Sequence, residues 1–125
     1  MPTQKLAKKP RIDALFRAFA DRTRLRLLCL LRGGELCVCD LVDVIGSPQP
    51  TVSRHLAYLR RAGLVRVRKD GLWSHYRLAT PPDALHKGLL ACLACCETEL
   101  PEVHADARRL VRVQQARARM CCEPM

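Results

Sequence analysis

No apolar run in the chain approaches the ~20 residues needed to span a bilayer, so no membrane partner is expected. Acidic residues are scarce: 12 Asp and Glu stand against 22 Lys and Arg in 125 residues, a net charge of +10. A surplus that large on a small protein points to a polyanionic partner, and nucleic acid is the commonest. Aromatics are few, with one Trp, two Tyr and two Phe, so Leu, Val and Ala must fill the one core that this length supports. There is neither a Gly-rich phosphate loop nor a Cys-x5-Arg stretch in which an activated thiol would meet an anion, and an enzyme is not expected. The basic start, residues 1–11, is not followed by the apolar stretch and small-residue cleavage site of a signal peptide. A cytoplasmic protein with reduced thiols is expected.

Cysteine, by contrast, is abundant: Cys29, Cys37, Cys39, Cys92, Cys95, Cys96, Cys121 and Cys122. In a reducing compartment and a helical pattern, such clusters read as metal or redox chemistry rather than as a disulfide framework. Cys29, inside an unbroken Leu-rich run, reads as a small core residue.

The periodicity divides the chain clearly. Ile12, Leu15, Phe16 and Phe19 make one helical stripe. Asp21 is placed to cap a second helix that stops at Gly33-Gly34. A third is expected from about Leu36 to Ile45, and a fourth capped by Ser47 with Pro48 and Pro50 confined to its first turn. The period then falls to two on either side of Asp70-Gly71, which predicts a β-hairpin. A helix from about Asp83 to Leu100 follows, Pro101 interrupts it, and a further helix ends in Cys121-Cys122. The fold class is mainly α with a small β-hairpin, and the order of parts is that of a winged helix-turn-helix. Three regions are expected: a basic arm over 1–11, a DNA-binding and dimerisation domain over 12–100, and a helical extension with a Cys-Cys tail over 101–125.

The fourth helix offers Gln49, Thr51, Ser53, Arg54 and His55 for base edges or phosphates, while Val52 and Leu56 face inward. Arg60, farther along, and Arg68 and Lys69 of the hairpin suit backbone phosphates. A solvated helix face beside a charged strand edge would read alike piece by piece; the combination in this order favours DNA.

Four stretches carry a family resemblance. Gly34-Glu35-Leu36-Cys37-Val38-Cys39-Asp40-Leu41 resembles the metalloid-binding motif of the ArsR (ArsR/SmtB) repressors. Residues 49–60 resemble that family's recognition helix, residues 71–78 its wing, and Asp21-Arg22-Thr23-Arg24-Leu25 is similar to its helix-opening phrase. The resemblance implies a homodimer on palindromic operator DNA, paired through about residues 12–19 and 83–100. It also implies release of the operator by As(III) or Sb(III) bound to cysteine thiolates, with methylated As(III) admitted as well. In the family's arsenic-type motif a third cysteine follows the second by three residues; here that position is Val42.

As(III) takes three thiolates. Cys37 and Cys39 would lie about 200° apart on a regular helix, so sharing one ion would require the helix start to unwind. Cys92, Cys95 and Cys96, at i, i+3 and i+4, share a helix face and offer either a complete site or a third ligand. Dimer-interface packing explains the same face equally well. A thiol-based redox repressor, or a Cd(II) or Pb(II) sensor, remains the alternative. Zinc is disfavoured, because Asp83 and His86 lack the Asp-x-His spacing of the family's zinc sensors.

Overall fold

The computed structural model describes residues 12–122, with side chains through Arg119. The basic arm over 1–11 therefore lies outside the described residues, as do the side chains of Cys121 and Cys122. The elements are α1 (Ile12–Phe19), α2 (Arg22–Leu31), β1 (Leu36–Cys37), α3 (Val38–Ile45), α4 (Gln49–Arg61), β2 (Val65–Asp70), β3 (Trp73–Leu78), α5 (Ala84–Glu99) and α6 (Pro101–Cys122). The three strands form one antiparallel sheet in the order β1-β3-β2. This is the winged helix-turn-helix expected from the periodicity.

Local chemistry explains most boundaries. The Asp21 carboxylate accepts the Arg24 backbone N–H at 3.0 Å and starts α2. Asp83 does the same for α5 through the His86 N–H at 2.9 Å. Gly46, at φ +79°, takes the left-handed exit of α3 that a side chain would resist.

Three boundaries differ from expectation. The third helix begins at Val38, because Leu36 and Cys37 pair instead with Tyr76 and His75 of the wing. The fourth begins at Gln49 with Pro48 as its N-cap, so Ser47 is not the cap. In the hairpin Asp70 is still paired, with Trp73, and the two-residue turn is Gly71-Leu72 with Gly71 at φ +61°. A glycine at the first turn position suits the right-handed strand twist better than Asp there.

The core is aliphatic, as the shortage of aromatics demanded. Leu27, Leu28 and Leu31 of α2, Leu41 and Val44 of α3, Val52, Leu56 and Leu59 of α4, Leu64, and Leu93 of α5 are fully buried or nearly so. Helix α4 is thus held by one stripe and leaves its other side free. Leu100, in an extended conformation, breaks α5 from α6. Helix α6 then folds back across α2 and α3, burying Val103 and Asp106. No helix of the described residues is long and apolar enough to cross a membrane.

Candidate DNA interface and thiol centre

On α4, Gln49, Arg54, Arg60 and Arg61 are exposed, and Thr51, Ser53 and His55 are half-buried. All of the fourth-helix residues singled out from sequence therefore lie off the buried stripe. Arg54 Nη2 rests 3.4 Å from Thr51 Oγ1, both on the helix's first turns.

Behind this surface lies a support that sequence reasoning missed. Arg24 of α2 donates to the Ala18 carbonyl at 3.0 Å and the Arg17 carbonyl at 2.9 Å. Its guanidinium also stands 3.4 Å from His55 Nδ1 and covers the Tyr58 ring at 4.1 Å. Asp21, the α2 cap, lies 3.8 Å from the same His55 nitrogen. His55 is thus already engaged from α2. Arg24 stands among Arg22 and Arg26 in a helix otherwise rich in leucine, and its place in the helix-opening phrase does not say which neighbour its charge serves.

In the wing, the two predicted phosphate contacts are also engaged. Arg68 forks onto Glu35, with Nη2 2.7 Å from one carboxylate oxygen and Nε 3.2 and 3.3 Å from the pair. That bond holds the Glu35 carboxyl below its ordinary range and the Arg68 guanidinium above its own. Lys69 Nζ donates to Ser74 Oγ at 3.0 Å. Leu72 and Trp73 are bare at the wing tip, 101% and 53% exposed.

The Cys37–Cys39 pair is assembled differently from expectation. Cys37 closes β1 in an extended conformation (φ −71°, ψ 146°), and Cys39 sits in the first turn of α3. The two residues do not share one regular helix, so the separation of about 200° expected of a helical pair does not apply to them. Burial first, then the neighbouring Cys37, raise the Cys39 thiol above its ordinary pKa, while the Arg117 guanidinium pulls it down. That arginine comes from α6 and ion-pairs with Asp40 and Asp43 of α3. Val42, where a third cysteine would stand, packs partly against the core.

The α5 cluster is split. Cys92 and Cys95 are exposed, and Cys96 is half-buried. Burial first, then Cys95 and Cys92, raise the Cys96 thiol, and the Arg32 guanidinium, ion-paired with Glu97, pulls it down. Cys29 is half-buried and packs against the core as expected, its thiol turned to the Leu93 carbonyl at 3.9 Å; burial pushes its pKa up to about 11. Among the described residues no group of three or more His, Cys, Asp or Glu side chains is arranged to hold a metal ion.

Two apolar residues of α1, Ile12 and Phe16, are 62% and 51% exposed, and Leu85 of α5 is exposed as well. They lie on the two helices from which dimerisation was expected.

Helix-turn-helix, basic wing and projecting fourth helix together define a winged-helix DNA-binding protein. Residues 21–67 match the model of the bacterial regulatory proteins of the arsR family. The chain is 46% identical over 99 residues to the arsenical resistance operon repressor of Escherichia coli (strain K12), covering 78% of this chain and 83% of that one. Among solved structures, the AntR antimony-specific transcriptional repressor superposes with a TM-score of 0.58 at 34% identity, over 73% of this chain and 80% of that one. The homodimeric winged helix-turn-helix domain of Mb0332 from Mycobacterium bovis gives a TM-score of 0.58 at 27% identity, over 73% and 79%. The chain belongs to the ArsR family of transcriptional regulators.

Proposed function

We propose that this protein is a homodimeric repressor that occupies operator DNA and releases it when Cys37 and Cys39 capture trivalent arsenic or antimony. The observation that carries the inducer assignment is the placement of Cys37 and Cys39 on the two sides of the junction of β1 and α3. Soft thiolates suit As(III) and Sb(III), and the Arg117 charge offsets part of the burial that raises the Cys39 thiol. Relatives named for arsenical resistance and antimony specificity support the same ligand class.

The DNA contacts proposed are Gln49, Thr51, Ser53 and Arg54 toward base edges, with His55 and Arg60 toward the backbone. Lys69 and Arg68 add positive potential at the wing, Arg68 through a guanidinium already anchored by Glu35. The N-terminal helix and α5 pair the subunits through Ile12, Phe16 and Leu85, and residues 12–100 carry both roles. Helix α6 braces that unit from behind.

The chain couples the two sites through a short path. Cys37 is paired with His75 of β3, and Cys39 opens α3, which packs on α4. Holding both thiols on one ion constrains the β1–α3 joint, and the wing and the groove-facing helix are both built on that joint. Bound metalloid supplies the cross-link; the residues above transmit it.

The test is a gel shift with operator DNA titrated with arsenite under reducing conditions. Wild type should release DNA without any oxidant, which separates metalloid capture from thiol oxidation. Cys37→Ser and Cys39→Ser should bind operator normally and resist release; full release in the double variant would place the inducer site elsewhere.

A further inference from the structure

We infer that Arg66 and Arg77, at the base of the wing, form with Arg60 of α4 a clamp for one backbone phosphate of the operator. The inference rests on the operator-binding reading above and adds a phosphate site that lies away from the wing tip and from the base-reading turns of α4.

The three side chains line one groove of about 470 Å³ between the end of α4 and the hairpin. Gly63, at φ +81°, turns the chain back from the last turn of α4 toward β2. Arg66 of β2 stands directly opposite Arg77 of β3. Their neighbours Val65, Tyr76 and Leu78 pack on the core, so alternation along the strands sends both arginines to the other face. All three arginines are exposed.

Like charges placed directly opposite each other destabilise a sheet. Elsewhere the arginines are matched: Arg26 to Asp106, Arg32 to Glu97, Arg68 to Glu35, and Arg117 to Asp40 and Asp43. Arg60, Arg66 and Arg77 have no ion pair among the described residues. The Glu35 carboxylate feels the charge of Arg77 but is hydrogen-bonded to Arg68. A charge on β2 alone would be explained as protection of an edge strand, and Arg60 alone as a cation at a helix C-terminus. Neither explains Arg77, which stands on the central strand facing a second guanidinium. An anion held between the two relieves their repulsion, and the planar guanidinium fork matches phosphate oxygens. The groove joins α4 to the wing, so a DNA strand that runs from one to the other passes over it.

The probe is a duplex that the protein selects from a randomised pool, with binding followed by fluorescence anisotropy over a range of salt. Arg66→Gln/Arg77→Gln should lower the slope of log affinity against log salt by about 0.9, the contribution of one phosphate. The loss should be equal on the selected duplex and on random DNA, because a phosphate carries no sequence. Without DNA, the same variant should unfold at higher urea than wild type, since the repulsion is gone. A merely structural role for the two arginines gives the opposite shift, and that result overturns the inference. A methylphosphonate scan of the selected duplex, neutralising one phosphate at a time, then locates the contact. One position in each half-site should weaken wild type and leave the double variant unaffected, and Arg60→Gln should blunt the effect at that position alone. A double variant that responds at every position as wild type does overturns the clamp. If inorganic phosphate at constant ionic strength raises the urea midpoint of wild type as much as the duplex does, the groove takes free phosphate and the DNA assignment fails. If wild type selects no duplex, the operator reading falls together with the clamp; unchanged binding by the double variant removes the clamp alone.

Discussion

The guanidinium of Arg24 covers the ring of Tyr58 at 4.1 Å, joining α2 to α4. Its other donors end on the Ala18 and Arg17 carbonyls, so it closes the α1–α2 corner at the same time. Arg24→Ala should weaken operator binding about 5-fold or more through loss of helix placement, the ring contact alone being worth about 0.5–2 kcal/mol. Arg24→Lys should not restore it, because an ammonium lacks the planar fork that serves carbonyls and ring together. If Arg24 acts only from behind, the salt slope of binding stays unchanged in both variants.

Arg26 and Asp106 form a forked pair, both bonds 2.8 Å, between α2 and α6. Asp106 is 2% exposed. The bond to Asp106 raises the Arg26 guanidinium pKa further, although burial opposes it. Asp106→Ala would strand a largely buried charge and should destabilise the fold by about 3 kcal/mol, the low end for such pairs because Arg26 keeps some water. Urea unfolding measures this directly. Replacing both residues with apolar ones should cost less than the single change.

His86 of α5 is 1% exposed and neither ring nitrogen has a hydrogen-bond partner among the described residues. Burial holds its pKa below the ordinary value, with Asp83 pulling the other way. The unfolded chain protonates this side chain near pH 6.5, while the folded chain does so only at lower pH. Stability is therefore fully present above about pH 6.5 and falls as pH drops toward the lowered folded value. His86→Leu should flatten that acid limb in urea midpoints measured from pH 7 to 5. At pH 7 it should be neutral or stabilising, since it removes unpaired buried polar atoms.

Phe16→Asp should shift the protein to monomer in light scattering and lower operator affinity sharply, while the monomer keeps its helical spectrum. The side chain is 51% exposed in the single chain, so a charge there perturbs association and not the core. A variant that stays dimeric would remove α1 from the interface.

Much of this molecule was legible beforehand. Asp21 and Asp83 announced their helices through capping chemistry, and the inward Val52, Leu56 and Leu59 marked which side of α4 stays free. What escaped was whatever depends on a distant partner. Leu36 and Cys37 looked helical because their apolar spacing continues that of α3; the edge of the wing claimed them instead. Ser47 is a strong cap residue by type, yet Pro48 with its fixed backbone angle starts the helix. The anchor of Arg68 was hidden because Glu35, which holds it, is 33 positions away in sequence. Arg117 was mute for the same reason: its partners Asp40 and Asp43 sit on α3, and no local pattern connects them.

The pairing of Cys37 with His75 means that the shortest strand in the sheet splices the hairpin to the rest of the molecule. The hairpin joins that strand by pairing, and α4 packs on the helix that follows it, so both rest on the same joint. If metalloid acts at that joint as proposed, both grips should be lost together. The protein's answer to an inducer should be abrupt for each molecule, with graded gene output arising only from how many molecules have let go.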